Sequence, residues 1–516
     1  MSQVIKSNFP LFRFQNSQLP AGLVNRLHHT TALLPLAALL LYFIVKAITA
    51  PLGDYATYYF GSLELWRGNY TTAYDACSLS ASAASQGYTV FAVYTPFPPF
   101  TALVMAPFLL LPITWSKLIF NIFSATLFLF TLRRSARFFN APLCLLAALP
   151  LVFFIPLRNQ ILLGQGYLLL AVLLLEGYMA YKKGLFNSAG FLWALAIAFK
   201  IFPVCILLFP AFRKQYKQLA LCISFGAVCF MLSLWCVGFP SWKYYLFTLM
   251  PRLNNGELND SYTYIFQSAF MLLKNLFVYD AIQNPNPLIN NLYLFLIVNI
   301  IYKSLILGSA VNVKNDWQAF GAWITASLLI SPNGSSYSLI LLLIPLIAFP
   351  NRIFLLLLIC WLPIQWFESF PTIVRFPRLH LMLILFASIS KFNLKPILAF
   401  IAVFLITHIF QLFPQPDPSR YFFTTNTPLI YKINIRQNHL AYFYWNGSGS
   451  HEVITNHLVT TAEEIPIINN QLIHNGHQLT HTPDLKKQAM LINNRQVIYL
   501  SDKNRGVGFY TLRVLK

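Results

Sequence analysis

The sequence predicts a polytopic α-helical membrane protein that closes with a β-rich soluble domain. Three observations carry this prediction. Of 516 residues, 57% are hydrophobic and only 10% charged, far below the roughly 25% charged share of soluble domains. Apolar runs of about 15 to 21 residues, the length that spans a bilayer, recur from Leu33 to Phe413. The composition then changes at Pro414-Gln415-Pro416-Asp417-Pro418. Beyond it, short alternating runs such as Gln496-Val497-Ile498-Tyr499-Leu500 are punctuated by Asn-Gly and Asn-Asn pairs, the pattern of strands and turns.

The expected organisation is a cytoplasmic segment at 1–31, a transmembrane domain at 32–413 with about 11 to 13 helices, and the β-rich domain at 414–516. Lys6, Arg13 and Arg26 precede the first apolar run and place its start on the cytoplasmic side. No small-residue cleavage site follows that run, so it reads as an uncleaved first span. Residues 51–95 then form a polar outer loop, in which Tyr58 to Trp66 has the spacing of a short helix lying along the membrane surface. Tyr94-Thr95-Pro96-Phe97-Pro98-Pro99-Phe100 turns the chain back toward the bilayer, since proline belongs in the first turn of a span. The runs 97–111 and 113–131 read as two short spans or one interrupted passage. Arg133, Arg134 and Arg137 favour an odd number of crossings, whereas the Leu111-Pro112 break favours two. Farther on, Ala198-Phe199-Lys200-Ile201-Phe202-Pro203 puts a lysine and a proline inside an apolar run. Broken backbone at membrane depth survives only where protein or water covers it, so a discontinuous helix facing an internal cavity is expected there.

The net charge of +21 does not imply nucleic acid. The basic residues sit in short connectors, among them Lys182, Lys183, Arg213, Lys214 and Lys217, as positive-inside topology requires. The seven cysteines lack any CxxC or paired spacing, so neither a disulfide framework nor a zinc site is expected. His474, His477 and His481 fall in a predicted loop without a neighbouring cysteine and read as solvated polar residues. No metal and no cofactor is expected.

Four stretches carry more than topology. Gly53-Asp54-Tyr55-Ala56-Thr57-Tyr58-Tyr59 sets an acid at the edge of a span, where a carboxylate is expensive to dehydrate and marks a functional site; it is followed by Leu65-Trp66-Arg67-Gly68-Asn69 and Tyr74-Asp75. Phe91-Ala92-Val93-Tyr94-Thr95-Pro96 leads into Pro98-Pro99. Gly164-Gln165-Gly166 interrupts an apolar stretch, and Ala189-Gly190 precedes Lys200 and Pro203. In order and spacing these stretches resemble glycosyltransferase family 87 of the GT-C superfamily, over roughly residues 40–345. The resemblance implies an integral membrane enzyme that uses a polyprenyl-phosphate sugar, typically mannose, and a catalytic role for Asp54. The family usually places a histidine after a Ser-Pro element, where this chain has Ser331-Pro332-Asn333-Gly334-Ser335-Ser336-Tyr337.

The chemistry agrees with that implication. Transfer to an alcohol needs a base for the hydroxyl proton, a role in which a placed carboxylate contributes about 10²–10⁴-fold. The leaving lipid phosphate needs cations, for which the candidates are Lys200, Arg158, Lys243, Arg252, Arg375 and Arg378, with Gln165 beside them. Tyr58, Glu64, Asp75 and Tyr94 are the acceptor-side candidates. Plainer roles stand beside each: an N-cap for Asp54, helix-end capping for Arg158 and Gln165, lipid headgroup contact for Lys243 and Arg252, topology marking for Arg375 and Arg378. Gln267-Ser268 suits helix–helix hydrogen bonding.

The expectation is therefore an inverting membrane glycosyltransferase that moves mannose or another hexose to an extracytoplasmic hydroxyl. Its partners would be a polyprenyl-phosphate sugar donor, a glycan or glycolipid acceptor and the lipid bilayer, with no nucleic acid. The expected location is the bacterial inner membrane with the active site facing outward. A transporter or flippase of a lipid-linked or small solute is the rival from another class.

Overall fold

The computed structural model describes residues 29–258, 262–408, 419–422, 429–445, 450–503 and 505–515. Most of the expected cytoplasmic segment 1–31 and the proline-rich junction at 414–418 lie outside the described residues. The first ten helices carry the site: α1 Leu34–Thr49, α2 Asp54–Trp66, α3 Tyr70–Tyr74, α4 Ala76–Ser85, α5 Phe100–Leu109, α6 Ile113–Phe138, α7 Leu143–Val152, α8 Phe154–Leu163, α9 Tyr167–Lys182 and α10 Phe186–Phe199. Helical segments continue to Thr407 and strands follow to Leu515.

The expected 11 to 13 spans resolve differently. Among the described residues, four helices are long and apolar enough to cross a membrane: His29–Thr49, Ile113–Phe138, Tyr216–Val237 and Leu292–Val311. The pair α7 and α8, bent by 59°, makes a fifth if counted as one span. Other apolar helices are shorter, because proline interrupts the runs: Pro107 sits inside α5, Pro150 inside α7, and Pro203 in the first turn of a 3₁₀ segment, Phe202–Leu207.

The runs at 97–131 form two helices of unequal length, α5 and α6. The ten residues of α5 extend about 15 Å, half the hydrocarbon thickness. Trp66 Nε1 donates to Ala102 O at 2.9 Å and Tyr59 Oη to Leu111 O at 3.0 Å, so α5 and its exit stay beside α2. The first turns of α6 then meet the exit of α1, where Lys117 Nζ donates to Pro51 O at 2.7 Å. Of the two, only α6 has the length and apolarity of a membrane span.

Charges sort to the two ends of the helical body. At one end Arg134 pairs with Glu176 at 3.3 Å, while Lys182 and Arg213 pair with Asp316 at 3.1 and 3.3 Å. The other end holds the 51–95 loop, and the tail domain docks on it.

In the tail, a five-stranded antiparallel sheet has the order β1-β11-β10-β9-β5, from Arg420–Tyr421, Thr511–Leu515, Gln496–Ser501, Lys486–Ile492 and Ala462–Glu464. It packs on a three-stranded sheet of β2 Leu429–Arg436, β3 His439–Trp445 and β4 Ser450–Leu458. Ile430, Ile433 and Leu440 meet Ile498, Leu500 and Leu512 between them. A small sheet of β6 Ile467–Ile468, β7 Gln471–His474 and β8 His477–Gln478 lies to one side, and places His474 and His477 on strands rather than in the expected loop. Cys77 of α4 joins the tail's core, and Val507 of the tail joins the core of the outer loop. Tyr510 Oη donates to Asp75 at 2.5 Å, Cys77 Sγ to Gly508 O at 3.1 Å, and Tyr421 Oη to Asp280 at 2.8 Å. Arg252, 4% exposed, bonds Asp502, 0% exposed, at 2.8 Å and Glu257 at 2.7 Å. Breaking such a buried pair by removing one partner costs about 3–5 kcal/mol, so the tail is a fixed part of this end of the molecule.

Candidate active site

The site begins where α1 ends. Gly53 takes φ +58 and turns the chain into α2, so that Asp54 is the first helical residue. The N-cap is Gly53, without a side-chain cap; the Asp54 carboxylate points instead across the chain to the Gly164-Gln165-Gly166 turn. Gly164 closes α8 in the left-handed conformation, φ 70 and ψ 43, a helix ending that glycine adopts without a Cβ penalty. A Cβ on Gly164 would lie 2.6 Å from Tyr55 Cβ, and one on Gly166 would lie 2.5 Å from the Phe199 ring. The two glycines thus let the turn wedge between α2 and the end of α10, with Gln165 projecting between them.

Gln165 bridges two charges. Its Nε2 donates to Asp54 Oδ2 at 2.6 Å. Its Oε1 accepts from Lys200 Nζ at 3.1 Å and from Tyr58 Oη at 3.0 Å. Tyr58 Oη also accepts from Gly166 N at 3.3 Å, which fixes the amide's orientation. Lys200 follows the last residue of α10 in extended geometry, φ −145 and ψ 117, just ahead of the Pro203 break. Its ammonium lies 3.8 Å from the Tyr167 ring centre, 5.1 Å from Phe97 and 5.6 Å from Tyr58. Cation–π attraction in that cage offsets part of the cost of burying the charge. Burial raises the Asp54 carboxyl above its ordinary value, against the opposing hydrogen bond from Gln165 and the charges of Lys200 and Lys117.

Lys117 went unread in the sequence because it looks like an ordinary lysine near a helix start. It is 3% exposed, and its Nζ donates at 2.7 Å to both Pro51 O and Leu162 O. Those carbonyls lie three residues before Asp54 and three before Gln165, so one ammonium clamps together the two segments whose side chains meet. Tyr167 and Tyr337 were also missed. Their rings stand 5.4 Å apart within electrostatic reach of Asp54. Tyr337 thereby brings the Ser331–Tyr337 element to the site, and Asn159 holds that element through Ser336 at 2.8 Å. Tyr167 directly follows the Gly-Gln-Gly turn, which was a readable signal.

The other candidates lie elsewhere. Arg158 and Lys243 are exposed. Arg252 is committed to Glu257 and Asp502 in the tail junction. Arg378 donates to Ile359 O and Leu362 O, each at 3.0 Å, capping the C-terminal end of the helix Ile353–Trp361. Arg375 Nε donates to Phe370 O at 2.8 Å. Glu64 is saturated by Arg67, Asn69 and Ser82. Asp75 caps α4 through Ser78 N and receives Tyr510. Tyr94 packs over Gly61 and meets Ser62 at 3.3 Å. These three acceptor-side candidates build the outer loop, and of the four only Tyr58 reaches the Asp54 cluster. Gln267 and Ser268 do bind across segments, to Arg375 O at 2.9 Å and Pro332 O at 2.6 Å.

A helical membrane body with a charge-paired polar site beneath a docked β-rich domain fits a GT-C-like membrane protein. Sequence comparison narrows the class. Residues 94–332 match the family model of glycosyltransferase family 87, and this match together with the helical body supports a membrane glycosyltransferase. The matched stretch contains Gln165, Lys200 and Lys117; Asp54 and the tail lie outside it. No curated protein and no solved structure matches the chain.

Proposed function

We propose that this glycosyltransferase moves a hexose, with mannose as the leading choice, from a polyprenyl-phosphate donor to an acceptor hydroxyl, with inversion. The acceptor oxygen attacks the anomeric carbon, Asp54 takes the hydroxyl proton, and the bond to the lipid phosphate breaks with its electrons leaving on the phosphate. Lys200 offsets the charge that grows there. The observation that carries this reading is the bridge Asp54–Gln165–Lys200, which holds a carboxylate and an ammonium one amide apart inside the protein.

Two further features support it. An apolar cleft of about 90 Å³ opens between Ala47, Ile48 and Leu52 on one side and Trp115 and Leu118 on the other, with Lys117 in its lining; a prenyl chain suits such a cleft. The basic connectors lie at the end of the body opposite Asp54, so the positive-inside rule turns the Asp54 end outward. A broken helix with an intramembrane lysine also suits a transporter, but a transporter accounts less well for the polar 51–95 loop that carries Asp54 and for the β-rich domain docked on it.

The test is full-length protein in lipid nanodiscs with a radiolabelled polyprenyl-phosphate sugar. Release of polyprenyl phosphate with transfer is expected of the wild type. Asp54→Asn should lower transfer by about 10²-fold or more while donor binding persists. Retained transfer in Asp54→Asn would remove the base from the proposal, and uptake of intact donor into liposomes without chemistry would replace the enzyme by a transporter.

A further inference from the structure

Between the membrane body and the tail lies a second cavity, of about 390 Å³, within the range of small-molecule sites. We infer that this cleft binds a neutral oligosaccharide, the saccharide portion of the acceptor, an assignment of role that rests on the glycosyltransferase reading.

The body wall comes from a π-helical turn at Tyr245–Leu249, followed by the helix Met250–Asn254. Such turns are rare overall and frequent at functional sites, and this one presents Phe247, 75% exposed, at the cleft. The tail wall comes from the turn between β6 and β7, where Asn469 and Asn470 both take positive φ, and from the segment at Pro483–Asp484. Arg252 fixes the distance between the walls through its bonds to Asp502 and Glu257.

The lining chemistry selects the ligand. Arg252 and Lys503 face Glu257 and Asp484, so the cationic and anionic side chains balance. That argues against a phosphate or an anionic headgroup, which needs a surplus of cations. A saccharide needs mixed donors and acceptors for its hydroxyls and an apolar surface for its C–H face. The amides and carboxylates provide the first, and Phe247 with Pro251 and Pro483 the second. Asp484 is held in the tail wall by Lys486, whose ammonium lies 3.4 Å from its Oδ1, and by Ser501 Oγ, which donates to its Oδ2 at 2.5 Å.

Isothermal titration of the full chain in nanodiscs, against neutral trisaccharides of glucose, mannose and galactose and against inorganic phosphate, tests this. Saturable binding of a neutral trisaccharide is expected, weakened about tenfold by Phe247→Ala and by Asn469→Gly, the latter keeping the positive φ. Asp54→Asn protein should bind the saccharide like the wild type. Binding of phosphate alone, binding of none of the saccharides, or unchanged affinity in both cleft variants would overturn the assignment. Failure here with transfer still abolished by Asp54→Asn sinks only the cleft. Saccharide binding in a protein that releases no polyprenyl phosphate sinks only the enzymatic reading.

Discussion

Replacing Gln165 by leucine isolates what the amide bridge does for the base. Leucine fills a similar volume, so the ammonium of Lys200 is kept from collapsing onto Asp54, but the 2.6 Å bond to the carboxylate disappears. A hydrogen bond to a charged group is worth about 1.5–3 kcal/mol. That bond favours the ionised form of Asp54, so its loss raises the carboxyl further beyond the elevation that burial already imposes. At about 1.4 kcal/mol per tenfold, the acid limb of the pH–rate profile should move upward by about one to two pH units. The sign follows from the role: a general base works ionised, so activity falls as pH drops through its pKa, and a higher pKa moves that fall to higher pH. The assay is kcat/KM for sugar transfer across pH in nanodiscs, with donor binding measured separately. A limb that stays in place, or moves downward, would show that Gln165 does not tune Asp54 and would refute the bridge as part of the base.

Three other outcomes follow from the same geometry. Lys117→Met removes both clamp bonds and should lower kcat more than it raises donor KM, with Lys117→Arg recovering part of the loss; unchanged kcat would reduce the lysine to a packing residue. Asp502→Asn turns an amide toward the Arg252, Leu485 and Gly508 donors and should cost about 3–5 kcal/mol; limited proteolysis should then release the tail at concentrations that spare the wild type, and an equally resistant tail would contradict its rigid docking. Gly164→Ala sets a Cβ 2.6 Å from Tyr55 at φ +70 and should lower Tm by an amount matching about 1–3 kcal/mol of strain and overpacking, whereas an unchanged Tm would mean that α2 shifts freely.

Much of this protein could be read from its residues. Low charge and repeated apolar runs gave the membrane class, and the Pro414–Pro418 junction with its alternating tail gave the β-rich domain. Asp54, Gln165, Lys200 and Tyr58 were each singled out, because an acid, an amide and a lysine among apolar residues require partners wherever they sit. Periodicity could not count the spans. It records apolarity, and a ten-residue helix such as α5 is as apolar as a crossing one. Tertiary structure alone decided which cations belong to the site. Lys117, Arg252 and Arg378 are all basic residues of the membrane body or its edge, yet one clamps the Asp54 loop, one locks the tail and one caps a helix. The difference lies in which carbonyls and carboxylates folding brings within 3 Å of each, and that contact is not encoded in any local spacing.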